Sequence, residues 1–321
     1  MPEYPDLTVY VEALEAQFVG HTLNRVRLAS PFVLRTHEPP LSAVFGQTLR
    51  GVSRLGKRLV LGFDAELYLV VHLMIAGRLR AKPPGTAVPN KVGLLAFDFP
   101  EQTLLLTEAS PKKRASLHVI RGREALAAMN PGGLEPFAIS VAEFGAQLRA
   151  ENHTLKRSLT DPHLFAAIGN AYSDEILHRA RLSPVLLTSR IDDAQVARLY
   201  QATHEVLREW TGRLRAEANG RFPDKVTAFH DAMAVHGRYG KPCPVCGGRV
   251  QRIRRSANEA NYCPNCQTDG KLLADRSLSR LLHDDWPATA EELEEQKRVL
   301  RENSPTVPKV KPTKPRRKPP A

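Results

Sequence analysis

All four cysteines of this 321-residue chain fall in one window, as Cys243-Pro-Val-Cys246 and Cys263-Pro-Asn-Cys266, a C-x2-C-x16-C-x2-C pattern. A tetrahedral Zn²⁺ takes four thiolates at about 2.3 Å, and each C-x2-C knuckle delivers two of them from one tight turn. The spacing therefore predicts one zinc ion in a structural role, because four thiolates leave no open position for a reacting water. Paired disulfides would need an oxidising compartment, which nothing else in the chain suggests. Between the knuckles lie Arg249, Arg252, Arg254 and Arg255. A metal-stiffened hairpin with cations near its tip suits contact with phosphates.

Two further stretches hold chemistry-bearing residues. The chain opens MPEYPD, with Pro2, Glu3, Pro5 and Asp6 in its first six residues. Termini usually fray, and two prolines with two carboxylates read poorly as the start of a helix or strand. The string FAAIGNAYSDEILHRARLSP closes one helical pattern at Gly169-Asn170 and opens another at once. Ile168, Tyr172 and Ile176 recur at i, i+4, so both flanks can face one core. The second helix then starts with unpaired backbone N–H groups at its positive dipole end, a phosphate site to which Asn170 can add a side-chain donor.

The elements that must position these residues change character along the chain. A helical pattern over Asp6–Val19 comes first. The runs RVRLAS, GKRLVLGF, ELYLVVHL, VGLLAFDF and QTLLLTE follow between about residues 22 and 107, without helices among them. They predict an antiparallel sandwich or barrel. After the turn-rich NPGGLEP (Asn130–Pro136) the pattern is helical: SVAEFGAQLRAE, TLKRSLTDPHLFAAIG, AYSDEILHRA and a long amphipathic stretch from Asp192 to Glu217. The expected organisation is α+β and multidomain. A β-sandwich spans 1–130, a helical domain 137–233, a four-cysteine finger 234–270, a helical extension 271–303 with a surface helix from Ala288, and a disordered basic tail 304–321.

The net charge is +12 and the pI about 9.7; six of those charges sit between Lys309 and Lys318, which leaves the remainder still basic. A polyanion is the partner such a field favours. No run of 18 apolar residues exists and no basic n-region precedes an apolar stretch, so the expectation is a cytoplasmic protein with no membrane partner.

A Pro-Glu-x-Pro-acid terminus, a GK hairpin, a GN-x-Y-x-x-E helical turn and a four-cysteine finger thus occur in order. From Pro2 to about Gln267 the chain resembles the formamidopyrimidine-DNA glycosylase / endonuclease VIII family of base-excision-repair enzymes. The resemblance implies a catalytic β-sandwich joined to a helix-two-turn-helix domain that carries the zinc finger. It implies a monomer that binds double-stranded DNA with damaged bases or abasic sites in the cleft between them, at the bacterial nucleoid. The implied activity is that of a bifunctional DNA glycosylase/AP lyase. Removing Met1, which a small second residue permits, frees the Pro2 secondary amine to attack the anomeric carbon and form an iminium. That electron sink expels the base and acidifies the neighbouring C–H, so β- and δ-elimination can follow. Glu3 would pass a proton to the sugar ring oxygen, and Lys57 would hold a phosphate beside the lesion. His72 and Asn170 match further phosphate contacts, and Lys156 matches a lysine near the damaged nucleotide.

Departures from the family pattern bear on the lesion. Asp6 stands where glutamate is usual, and Asn258 replaces the finger arginine, for which Arg254 or Arg255 can compensate. HLMIAG replaces HLGMSG, making Ile75 the apolar wedge, and SPKKRA replaces RRFG, putting Lys113 and Arg114 where an Arg/Phe pair fills the space of the everted base. No aromatic wedge is evident. The competing expectations are a non-catalytic sensor of damaged DNA, an AP lyase with little base excision, and an RNA-binding zinc-ribbon protein.

Overall fold

The structure is a computed structural model, and it describes residues 1–223, 226–227, 230–255, 258–273, 287 and 289–303. Helix α1 (Tyr4–Phe18) starts earlier than the periodicity predicts. Pro5 falls in its first turn, where the missing N–H would have no helical partner anyway. The Glu3 backbone N–H donates to Asp6 Oδ2 at 2.9 Å. The prolines and acids that read poorly as an opening are therefore the helix start signal itself. Leu7, Tyr10, Leu14 and Phe18 form its buried side.

Eight strands make two antiparallel sheets. One runs in the order β1 (Arg25–Leu28), β6 (Gly93–Asp98), β7 (Thr103–Glu108), β5 (Gly77–Lys82). The other runs β2 (Leu49–Leu55), β3 (Arg58–Phe63), β4 (Leu67–His72), β8 (Ser116–Arg121). The expected sandwich is present. Its less obvious strands, β2, β5 and β8, are those in which arginine, lysine or histidine interrupts the apolar run. Leu61, Leu69, Phe97, Leu106 and Leu117 meet between the sheets, and Leu14 and Phe18 of α1 join the same core.

A short helix α2 (Arg123–Ala127) leads to the second domain: α3 (Val141–Arg149), α4 (Leu155–Thr160), α5 (Asn170–Arg179) and α6 (Asp193–Ala218). The helical pattern expected to continue to Gly169 instead stops at Thr160. Pro162 disfavours helical backbone at Asp161, and residues 161–169 cross to α5 as an irregular stretch in which Ala167 has φ 59°. Ile168, Tyr172 and Ile176 do share one core, with Phe144, Leu199 and Trp210. In the finger, β9 (Gln251–Arg255) and β10 (Asn258–Tyr262) pair as a hairpin with Arg255 opposite Asn258, and a turn of helix α7 (Pro264–Gln267) follows. Helix α8 (Ala290–Asn303) matches the expected surface helix, and the basic tail lies outside the described residues. Among the described residues no helix is long and apolar enough to cross a membrane.

Candidate active site

Glu3 is the organising residue. It is buried, and its carboxylate accepts three backbone N–H groups: Oε2 from Gly169 at 2.8 Å and Tyr172 at 3.1 Å, Oε1 from Ala171 at 2.9 Å. These are the donors at the start of α5. The expectation that they stand unpaired for a phosphate is therefore corrected: a carboxylate 166 residues away in sequence fills the positive end of the helix. The Tyr4 N–H donates to the Ala167 carbonyl at 3.0 Å, which stitches the N-terminal segment to the same turn.

Pro2 is buried immediately before Glu3. Burial lowers the pKa of the Met1 terminal ammonium beside it; Glu3 opposes this, Arg78 and Lys57 reinforce it, and Asp6 opposes it. Asp6 is 1% exposed, and burial raises its carboxyl to about 7. Its Oδ1 has no hydrogen-bond partner. Asp6 lines a cavity of about 530 Å³ with Val9, Leu214, Glu217, Arg221 and Phe222.

Lys57 sits in the turn between β2 and β3. Burial depresses its ammonium, Glu3 and Asp161 pull the other way, and Lys156 adds to the depression. Among the described residues Lys57 has no hydrogen-bond or ion-pair partner. Lys156 differs: its Nζ donates to Asp174 Oδ1 at 2.6 Å and to the Asn170 carbonyl at 2.5 Å. Lys156 and Asn170 line a second cavity, of about 240 Å³, together with Arg157 and with Ile253 and Glu259 of the finger. His72 lies across from Arg58, and burial first, then Arg58, Lys57 and His118, lowers it to about 4. Its ring is neutral at pH 7, and Nε2 is buried with no partner.

Ile75 is 65% exposed in the turn after β4, where Arg78 Nη1 donates to its carbonyl at 3.1 Å. Lys113 is not presented outward as expected: its ammonium turns back to donate to the carbonyls of Glu108 and Lys91. The exposed cations of that loop are Lys112 and Arg114.

In the finger the four Sγ atoms lie within 4.8 Å of one another, with Cys243–Cys266 at 3.9 Å and Cys246–Cys263 at 3.4 Å. A zinc tetrahedron with bonds of about 2.3 Å has sulfur–sulfur edges near 3.8 Å, whereas a disulfide is about 2.05 Å. The donor set fits one structural zinc. His178 Nε2 of α5 lies 3.3 Å from Cys243 Sγ, linking the site to the helical domain. Arg254 is exposed, 4.0 Å from Glu259. The side chains of Arg255 and Asn258 lie outside the described residues.

Two residues received no role in the sequence reading, although Glu175 closes the GN-x-Y-x-x-E turn. Glu175 accepts the N–H groups of Ala234, Val235 and His236 at 2.8, 2.9 and 2.9 Å. Asp174 Oδ2 accepts from His236 Nδ1 at 2.8 Å and Asn261 Nδ2 at 3.2 Å, which ties α5 to the finger. The available signal was an acid pair in the middle of a helix buried from Ala171 to His178: buried carboxylates need partners.

Three family models match the chain. They are the formamidopyrimidine-DNA glycosylase N-terminal domain over residues 1–114, the formamidopyrimidine-DNA glycosylase H2TH domain over 132–213, and the zinc finger found in FPG and IleRS over 240–268. A formamidopyrimidine-DNA glycosylase of Heliobacterium modesticaldum is 31% identical over 281 residues, covering 83% of this chain and 100% of that protein. One from Thermus thermophilus is 30% identical over 279 residues, covering 84% and 100%. The solved complex of Lactococcus lactis Fpg with DNA containing an oxidised pyrimidine is similar with a TM-score of 0.74 at 25% identity, covering 83% of this chain and 100% of that one.

Proposed function

The chain belongs to the formamidopyrimidine-DNA glycosylase family, and from that premise we propose that it is a bifunctional DNA glycosylase and AP lyase of base excision repair whose nucleophile is Pro2. Its substrate is duplex DNA with an oxidised base or an abasic site, the kinds of DNA held by Lactococcus lactis Fpg in separate complexes. One observation carries the reading. The Glu3 carboxylate is fixed next to the terminal proline by three N–H groups of α5.

Once Met1 is removed, the Pro2 nitrogen lone pair bonds to C1′ of the damaged nucleotide. The base leaves with the electrons of its C1′–N bond and takes a proton. The nitrogen gives up its proton to the Glu3 carboxylate, and as the nitrogen lone pair opens the C1′–O4′ bond Glu3 passes that proton on to O4′. The resulting iminium acidifies the neighbouring C–H, so β- and then δ-elimination cut the strand. The attack needs an unprotonated amine. Burial, Arg78 and Lys57 lower the Met1 ammonium against the pull of Glu3 and Asp6, and the same surroundings favour the unprotonated form of the Pro2 amine one residue on.

Lys57, with no partner among the described residues, takes a phosphate beside the everted nucleotide, and neutral His72 contacts the same strand as a hydrogen-bonding group. Lys156 orients Asn170 through its carbonyl, and both face the strand beside the finger. Ile75 wedges into the stack. The zinc-held hairpin with Arg254, Arg255 and Asn258 adds duplex contacts, with Lys112 and Arg114 replacing Lys113 in that work. Catalysis belongs to 1–130, DNA binding to 137–233 with the finger 234–270, and the extension 271–303 and tail 304–321 stay outside the chemistry. Such a substrate places the protein at the bacterial nucleoid.

Borohydride trapping tests the reading. Wild type should form a covalent adduct with abasic and oxidised-base duplexes, and Pro2→Gly should not. Absence of any adduct across a lesion panel would sink it.

A further inference from the structure

Within the β-sandwich three large apolar side chains stand exposed: Leu28 at 38%, Phe32 at 79% and Ile75 at 65%. Single exposed apolar residues are ordinary, but these three share one end of the sandwich. His72 closes β4 opposite Ser116, the first residue of β8. Gly77 opens β5 opposite Glu108, the last residue of β7, and Leu28 closes β1 opposite Leu95, near the start of β6. The segments 29–33, 73–76 and 109–115 therefore leave the two sheets on the same side, the side on which Ile75 projects.

Phe32 is held there by a pinned turn. The Ala29 and Ser30 N–H groups donate to the Leu94 carbonyl at 2.9 and 3.0 Å, and the Arg35 N–H donates to the Leu117 carbonyl at 2.9 Å. Pro31 opens the short 3-10 turn Pro31–Val33, and the next residue, Val33, is buried. A ring this exposed on a turn this constrained loses little entropy on stacking. Arg35, three residues on, and Lys112 and Arg114, in the 109–115 segment at the same end, are exposed, so an apolar ring shares this end of the sandwich with cations suited to phosphates.

Strand order fixes how far it lies from Ile75. β1 is three strands from β5, and residue 34, bridged to Leu117 of β8, is two strands from β4. At about 4.8 Å per strand the backbone segments that carry Phe32 and Ile75 are about 10–14 Å apart. That exceeds a base step of about 3.4 Å, so Phe32 and Ile75 do not enter the same gap. The 109–115 loop between them holds no aromatic residue, and Lys113 is turned inward.

We propose that Phe32 is a second wedge, stacking on the complementary strand next to the base left unpaired by eversion, and that it sets which opposite base is tolerated. This rests on the glycosylase reading, and the experiment separates the two. Single-turnover excision is measured on lesion duplexes carrying each of the four opposite bases, with wild type, Phe32→Ala and Phe32→Trp. Phe32→Ala should lose about tenfold on duplexes, in keeping with one base–aromatic stack, and should compress the ratio between best and worst opposite base. Trapping on single-stranded abasic DNA, which has no opposite strand, should change less than twofold. Phe32→Trp should restore excision, and its tryptophan emission, after subtraction of the wild-type spectrum, should shift on binding a duplex with a non-cleavable abasic analogue. Unchanged opposite-base ratios in Phe32→Ala, or an emission in Phe32→Trp that ignores the duplex, overturns the proposal. Loss of trapping in wild type would instead remove the glycosylase reading, and the emission signal still reports because it needs no turnover.

Discussion

Glu3 and Glu175 meet the polypeptide in the same way at two different places on α5. Each is buried, and each carboxylate accepts three backbone N–H groups, from Gly169, Ala171 and Tyr172 in one case and from Ala234, Val235 and His236 in the other. Their surroundings separate them. Around Glu175 the charged neighbours are already paired: Asp174 holds Lys156, His236 and Asn261, and burial outweighs the three N–H groups in raising the Glu175 carboxyl. Around Glu3 stand a buried chain terminus, Asp6 with an unpartnered oxygen, and the unpartnered ammonium of Lys57. Identical bonding thus fixes the shape of a linker at one site and, on the proposed mechanism, aims a proton donor at the other. The presence of unpartnered groups nearby, more than the carboxylate's own bonds, marks the reactive site.

The largest effect should come from the terminus. Pro2→Gly replaces a secondary amine by a primary one on a flexible residue, and duplex excision should fall at least about 10³-fold, with the borohydride adduct lost. The comparison breaks most cleanly with the two glutamates. Glu3→Gln should lower excision by roughly 10²–10³-fold through loss of the transferable proton. Glu175→Gln should leave the rate per folded molecule within about threefold but lower stability by about 1–3 kcal/mol, because an amide NH₂ then faces a backbone donor. Equal rate losses in both variants, measured alongside urea unfolding, would erase the distinction.

Much of this was legible in advance. The C-x2-C pairs showed the metal site, because four ligands of one chemistry in two tight turns have few other uses. The runs from RVRLAS to QTLLLTE showed the sandwich. Pro2 and Glu3 stood out through their order with the later motifs. Contacts that join distant segments were not legible. Glu3 reaches α5 only because folding brings residues 3 and 169 together, so a helix start that read as an open phosphate site is already filled. In the family pattern Lys113 falls where a residue fills the space of the everted base, and the two carbonyls its ammonium meets, of Lys91 and Glu108, are not visible in the sequence. Residues 161–169 carried apolar spacing that suits a helix, and only Pro162 signalled the break.

A third buried carboxyl sharpens the comparison. Asp6 receives one N–H, from Glu3, where the two glutamates receive three, and burial raises it to about 7. With the folded-state value above the ordinary 3.8, the fold tolerates the protonated form. The contribution of Asp6 is intact below about pH 4 and is lost as pH rises towards 7. Asp6→Asn keeps an oxygen for the Glu3 N–H and cannot ionise. Relative to their difference at pH 4, the variant should gain about 3 kcal/mol on wild type by pH 8. Urea unfolding across that window reads it directly, and a difference that stays flat would show that Asp6 is ionised in the fold.

The smallest change probes whether the clamp on Glu3 is the active geometry. Gly169 has φ −128° and ψ −158°, extended backbone open to any residue, so conformational freedom does not explain the glycine. Contact does. A Cβ at this position would lie 2.4 Å from Glu3 Cδ and 2.6 Å from Oε1, closer than atoms approach. The carboxylate in Gly169→Ala must therefore shift by several tenths of an ångström and lose some of its N–H bonds, which should cost about 10–10²-fold in excision. Shortening the acid makes room, so Gly169→Ala with Glu3→Asp should be faster than the product of the two single losses. A Gly169→Ala rate within threefold of wild type, at unchanged melting temperature, would mean that Glu3 leaves α5 before it acts, and the likeness to Glu175 would then end at the resting state.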